Sequence, residues 1–199
     1  CVPSKTLLQA AKTYYHAKHG AIFGVEVEGV TFDFHKAHAH KNNVMNKMRD
    51  GIAGLMKKYR VDVIEGEAKL LPNCQLEING NTHEATDILL CTGSSPAIPP
   101  ISGVDLEHVV DSTGILEREV LPNHLVVVGG GVIGCEFACM YASVGVKVTV
   151  LEAMSEICPN LDSEVSESLR EGLTKKGVSF QLGAKVESIS AEKVSYSKE

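Results

Sequence analysis

The 199-residue sequence has no cluster of lysine and arginine, no C-x-x-C pair, no internal repeat and no low-complexity tract. It also has no apolar run near the roughly 18 residues that mark a membrane helix, so no helical span is expected. With a net charge of −6 and no basic patch, a non-specific nucleic-acid partner is excluded from the expectation. Six cysteines stand at positions 1, 74, 91, 135, 139 and 158, and their spacing is not that of a zinc ligand set. Their distribution suits a reducing compartment, the cytoplasm or the mitochondrial matrix, rather than a disulfide scaffold. His35, His38 and His40 form H-x-x-H-x-H without a carboxylate or thiol to complete a site. No metal is expected there, and the three read as a solvated helix face. A leader of basic then apolar residues is missing too. The chain opens Cys1-Val2-Pro3-Ser4-Lys5 and ends in VSYSKE, neither with a closing feature, so a piece of a longer chain is expected.

What is present centres on Leu125–Glu152. Leu125–Val128 is a short β-branched run. Gly129, Gly131 and Gly134 follow as G-x-G-x-x-G. A helical stretch leads to Gly145, and Lys147–Leu151 is a second β-branched run ending at Glu152. Strand, glycine turn, helix, strand and acid make the first half of a dinucleotide-binding unit. Gly129 allows the tight turn, Gly131 lets backbone approach a pyrophosphate, and Gly134 lets helix pack on strand. The helix N-terminus offers free N–H groups and the positive end of a dipole to phosphates. Glu152 lies 23 residues past Gly129, near the usual offset. Its carboxylate suits ribose hydroxyls and repels a 2′-phosphate, which favours NAD over NADP.

Around this unit the chain reads as α/β. Pro3 fits the first turn of a helix through Ala17. Cys1 then lies at a helix N-terminus near Lys5, where dipole and charge favour a thiolate. Asp33 is the predicted N-cap of a long helix to about Tyr59, with Val44, Met48, Ile52, Leu55 and Met56 as its core stripe. Val61–Glu65 and Asp87–Cys91 read as strands, the second buried and running into Thr92-Gly93-Ser94. Gln75–Ile78 and Thr82–Ala85 flank an Asn79-Gly80 hairpin turn. A Pro-rich linker precedes a short strand and helix within Val109–Leu116. Asp162 or Ser163 starts an amphipathic helix with Val165, Leu169 and Leu173 on its apolar face, and Val178–Gln181 and Lys185–Ser190 read as strands. Cys91, Cys135 and Cys139 are expected as small buried hydrophobes.

C-V-P-S-K, L-L-C-T-G-S, V-V-G-G-G-V-I-G-C-E-F and V-T-V-L-E, in this order, resemble the dihydrolipoamide dehydrogenases, a family of flavoprotein disulfide reductases. The resemblance covers essentially the whole chain. It implies a Rossmann-like two-domain FAD/NAD(P)-binding fold, truncated at both ends. Residues 1–118 would be part of the FAD-binding domain and 119–199 part of the NAD-binding domain. The implied parent activity is oxidation of dihydrolipoamide, free or on a lipoyl domain, through a redox disulfide and FAD, with hydride passed to NAD. By resemblance Cys1 is the flavin-proximal cysteine of the redox pair, Lys5 the lysine near flavin N5, and Glu136 its carboxylate partner. Ala68 and Thr92, Gly93 and Ser94 match FAD contacts. Gly129, Gly130, Gly131, Val132, Ile133, Gly134, Cys135 and Glu136 match the NAD pyrophosphate loop, and Val186 matches an apolar contact to the NAD adenine.

The resemblance also defines what these 199 residues do not contain. The other redox cysteine, the flavin's own glycine loop, the later G-D segment and the interface domain with its His-Glu pair have no match; His83, His108 and His124 do not substitute. The family is a homodimer, and the chain by itself is expected to be inactive. The flavin half, without its founding strand, should expose apolar faces, while Leu116–Glu199 keeps a nearly complete core. Another pyridine nucleotide-disulfide reductase, such as a mercuric reductase, shares C-V-P-S-K. A chain that only binds nucleotide is the remaining alternative.

Overall fold

A computed structural model describes residues 1–198. In chain order the elements are α1 (Val2–Lys18), α2 (Phe34–Tyr59), β1 (Ala68–Leu71), β2 (Gln75–Ile78), β3 (Asn81–Glu84) and α3 (Gly114–Glu117). They continue with β4 (His124–Val128), α4 (Val132–Ser143), β5 (Lys147–Leu151), α5 (Ser163–Lys175), β6 (Val178–Gln181), β7 (Ala184–Ile189) and β8 (Val194–Lys198). The chain divides into two compact units, Cys1–Met45 with Pro96–Glu199, and Asn46–Ser95.

The larger unit is built on a parallel sheet in the order β4-β5-β6. Val126 pairs with Thr149 and Val150 with Phe180. A parallel sheet needs cover on its faces, which is why Val148 and Val150 are apolar in the central strand and fully buried. Ala138 and Tyr141 of α4 and Ile157 after β5 close over them. Leu7 and Ala11 of α1 and Phe34 and Ala37 of α2 join the same core, with the Phe34 and Tyr141 rings 6.2 Å apart. Asp33 caps α2 as predicted, accepting the Lys36 N–H at 3.0 Å. Asp162 caps α5, accepting the Glu164 N–H at 3.0 Å.

The apolar face predicted for α5 is only partly buried. Leu173 is buried with Ser166, whereas Val165 and Leu169 are exposed. Ser166 earns its place because its hydroxyl donates to the Cys158 carbonyl at 3.2 Å, so burial leaves no polar atom unpaired. His38 is likewise buried, a correction to the solvated face expected for the three histidines; His35 and His40 are exposed. Lys41, one helical turn on, is 0% exposed. Its ammonium donates to the Leu116 carbonyl at 2.6 Å and lies 2.9 Å from His38 Nε2. An acceptor 75 residues away is what makes this burial possible.

β7 and β8 form an antiparallel hairpin with an irregularity between Val186 and Ser188. Gly103 passes so close that an added Cβ would lie 2.0 Å from the Ile189 carbonyl oxygen. α3 forms within Val109–Leu116 and one residue beyond, but the short strand predicted before it does not.

The smaller unit holds the end of α2 and an antiparallel meander β1-β2-β3. The Asn79-Gly80 turn forms as predicted, with φ of 51° and 80°, the pair of positive values a two-residue hairpin demands. Two other predictions fail. Val61–Glu65 and Asp87–Cys91 are not strands, and Leu89 and Leu90 are 87% and 65% exposed. Cys91 is exposed rather than buried. A buried strand needs a neighbour to take its backbone bonds, and neither run has one among the described residues. Met48, Ile52 and Leu55, expected as core, are exposed for the related reason that no described segment covers them.

Candidate functional site

The glycine loop joins β4 to α4, and each glycine answers a different constraint. Gly129 turns the chain with φ of 106°, and its N–H donates to the Leu151 carbonyl at 2.8 Å. Gly130 is buried; a Cβ there would meet Ile157 Cγ2 at 2.9 Å and Glu152 Cβ at 3.2 Å. Gly131 precedes the first turn of α4, and a Cβ on it would meet nothing within 4 Å. Its surroundings are open, as a backbone approached by a ligand requires. Gly134 packs so tightly that a Cβ would lie 2.1 Å from the Gly129 carbonyl oxygen and 3.1 Å from Val127 Cγ1. The exposed Val132 and Ile133 open α4, whose first-turn amides have no intrahelical acceptor.

Glu152 is buried, and its carboxylate braces the loop. Oε2 accepts the Gly130 N–H at 2.6 Å and Oε1 the Met154 N–H at 2.7 Å. Sequence reasoning assigned this carboxylate a ligand to bind; it also has a structural task inside the protein. A carboxylate has about four acceptor positions, so two amides leave capacity for hydroxyl donors. Beneath the loop the Gly130 carbonyl accepts the Cys158 N–H at 2.9 Å. The thiols of Cys135 and Cys158 point at the same oxygen from 3.3 and 3.6 Å. Burial, and secondarily the neighbouring Cys158, push the Cys135 thiol up to about 12. Cys135 is thus the small buried residue predicted, while Cys139 is half-buried. The sequence assigns Cys158 no role, because nothing local announces that the post-β5 loop folds under the glycines.

A second grouping lies on α1 and α4. Cys1 is exposed at the N-cap of α1, and its carbonyl accepts the Lys5 N–H at 3.0 Å. The Lys5 ammonium donates to the Glu136 carboxylate, so the two residues paired by resemblance do meet. Four residues apart, Cys1 and Lys5 lie along one side of the helix start. They line a shallow groove with Thr6, Gln9 and His40.

The remaining predicted residues are placed less tellingly. Val186 is half-buried in β7 opposite Tyr196. In the smaller unit, Ala68 opens β1 opposite Ile78, and Thr92, Gly93 and Ser94 are exposed on irregular backbone with Gly93 at φ of 71°. Among the described residues no three or more His, Cys, Asp or Glu side chains gather as metal ligands.

Strand, glycine turn, helix, parallel strand and terminal acid define an α/β protein of the Rossmann-like, dinucleotide-binding class. Residues 1–199 match the family described as pyridine nucleotide-disulphide oxidoreductase, and the chain belongs to that family. It is 37% identical, over 95% of its length, to a dihydrolipoyl dehydrogenase of Chlamydia pneumoniae, of which it covers 41%. To a dihydrolipoyl dehydrogenase of Bacillus subtilis it is 39% identical over 94% of its length, covering 42% of that relative. Among solved structures it is similar to the HOCl-induced flavoprotein disulfide reductase RclA from Escherichia coli, with a TM-score of 0.80 and 34% identity. That match covers all of this chain and 43% of RclA. LpdA from Mycobacterium tuberculosis gives a TM-score of 0.84 at 26% identity, over 98% of this chain and 45% of LpdA. The chain therefore spans less than half the length of these relatives. No helix among the described residues is long and apolar enough to cross a membrane.

Proposed function

We propose that the chain is the nucleotide-binding part, with one side of the redox centre, of an NAD-dependent dihydrolipoyl dehydrogenase. The observation that carries this reading is the Gly129–Gly134 loop braced by Glu152 at the end of β5. When bound, NAD and FAD supply the hydride- and electron-accepting chemistry. The open backbone at Gly131 and the first-turn amides of α4 fit a pyrophosphate. Glu152 retains acceptor capacity for ribose hydroxyls and opposes a 2′-phosphate. Lys5, hydrogen-bonded to Glu136, would offer a positive charge to the negative charge that develops on a reduced flavin. Cys1, the flavin-proximal cysteine on this reading, would be half of a disulfide with a cysteine not among these residues; a dithiol that attacks the partner sulfur breaks the S–S bond and would release Cys1 as a thiolate. Ala68 and Thr92–Ser94 are assigned to FAD, and Val186 to the adenine of NAD. On this assignment residues 1–118 serve the flavin and 119–199 the nicotinamide nucleotide, with a homodimeric parent acting on dihydrolipoamide or a lipoyl domain in the cytoplasm or mitochondrial matrix.

Titration of the purified protein with NADH and NADPH, followed by nicotinamide fluorescence, tests this. NADH should bind tighter by about tenfold or more, because a 2′-phosphate beside Glu152 sets like charges together. A preference for NADPH overturns the assignment of Glu152 and moves the reading to another disulfide reductase. The 199 residues alone should show no dihydrolipoamide-dependent reduction of NAD, since only one cysteine of the redox pair is among them.

A further inference from the structure

The thiols of Cys135 and Cys158 are not used by the chemistry above, yet the fold brings them together from separate elements. One lies in the first turn of α4 and the other in the loop between β5 and α5. Their sulfurs are 4.0 Å apart, and both are buried against the Gly130 carbonyl. Cys158 has φ of 46°, in the left-handed region that a side chain other than Gly, Asn or Asp seldom occupies. A backbone cost is thus accepted at the residue that carries one thiol under the glycine loop.

We propose that Cys135 and Cys158 are a second, oxidisable dithiol, distinct from the redox centre at Cys1, and that their disulfide weakens nucleotide binding at Gly129–Gly134. The affinity part rests on reading that loop as the NAD site. A disulfide holds its sulfurs about 2.0 Å apart, so the pair must close by about half its present separation. Closure draws the first turn of α4 toward the 156–158 loop and removes two S–H groups from the Gly130 carbonyl. The amides that face a pyrophosphate belong to that same turn. With hydrogen peroxide as oxidant, one thiolate attacks a peroxide oxygen and the O–O bond breaks, giving a sulfenic acid and hydroxide. The second sulfur attacks the sulfenic sulfur, the S–O bond breaks and the S–S bond forms. Two thiols and one peroxide thus give one disulfide and two waters. Burial keeps Cys135 protonated at rest, so oxidation waits for openings of the loop and is slower than at the exposed Cys1, Cys74 and Cys91.

To test this, exposed thiols of the purified native protein are blocked with N-ethylmaleimide before treatment with peroxide. Disulfide-linked peptides are then mapped by mass spectrometry, and NADH is titrated before and after oxidation. A Cys135–Cys158 link should appear, and NADH affinity should fall by about fivefold or more, recovering with dithiothreitol. Cys158→Ala should bind NADH, form no link and lose the sensitivity to peroxide. Absence of the link, a link with unchanged affinity, or undiminished peroxide sensitivity in Cys158→Ala each overturns the proposal. Failure of the untreated, folded protein to bind NADH overturns the nucleotide reading and the affinity part with it, while the peptide map still decides whether the pair oxidises.

Discussion

Asp87–Cys91 and Lys147–Leu151 are both short apolar runs that lead into a residue of the candidate site, Thr92 in one case and Glu152 in the other. Lys147–Leu151 becomes the central strand of a parallel sheet, with β4 on one side and β6 on the other. Asp87–Cys91 stays irregular and exposed. The contrast extends to whole regions: no residue from 46 to 95 is buried, whereas the buried core lies entirely in Cys1–Met45 and Pro96–Glu199. Strand character in a sequence is an offer of hydrogen bonds and apolar surface, and only a partner takes it up. Burying a valine as fully as Val148 or Val150 is worth about 1.5–3 kcal/mol, a gain the exposed run does not collect.

The sharpest way to break the contrast is at the glycines. Gly134→Ala should destabilise the larger unit by about 3 kcal/mol or more in denaturant unfolding, because the new Cβ meets backbone rather than a mobile side chain. Gly131→Ala, facing open space, should cost under about 1 kcal/mol in the same assay while weakening NADH binding. If both cost the same, the division of labour within the loop is wrong. Next in size, Val150→Ala should cost about 2–3 kcal/mol and Leu89→Ala under about 0.5 kcal/mol. Equal losses would mean that the Asp87–Cys91 run is packed after all. Hydrogen exchange should resolve the regions without mutation. Amides of β5 should exchange only through near-global unfolding, and those of residues 87–91 within the dead time of a manual experiment.

The smallest effect concerns charge. Arg170, hydrogen-bonded to Glu156, holds that carboxyl below its ordinary value. A carboxyl depressed in the folded state adds stability that is present above the unfolded value and lost as pH falls through the folded one. Arg170→Met should therefore lower stability slightly, by under about 1 kcal/mol at neutral pH. The difference from the parent should shrink as pH falls below the ordinary carboxyl value and vanish once it has passed the lowered, folded one. A difference that persists in acid would show that Arg170 acts by packing instead.

The parts legible in the sequence are those whose cause is local. Asp33 and Asp162 cap helices because their carboxylates reach amides two or three residues on. Asn79 and Gly80 make a hairpin because both tolerate positive φ. The glycine loop with its terminal acid was legible for the same reason. What escaped depends on distant partners. Burial of His38 and Lys41 waits on the carbonyl of Leu116, burial of Ser166 waits on that of Cys158, and the approach of Cys158 to Cys135 depends on how the loop after β5 folds back. The Lys5–Glu136 pair was found only through resemblance, since 131 residues separate them and no spacing rule reaches so far.

The brace at Glu152 bears on cofactor engineering. Turning such a site toward a phosphorylated nucleotide begins by exchanging the acid for a neutral or basic residue. Here a basic replacement would also leave the Gly130 amide, buried and previously satisfied, without an acceptor, and would free the Met154 amide beside it. A redesign that changes the preference alone would loosen the loop it means to retune. On the proposed reading, a basic residue at 152 therefore calls for a second substitution that restores an oxygen under Gly130.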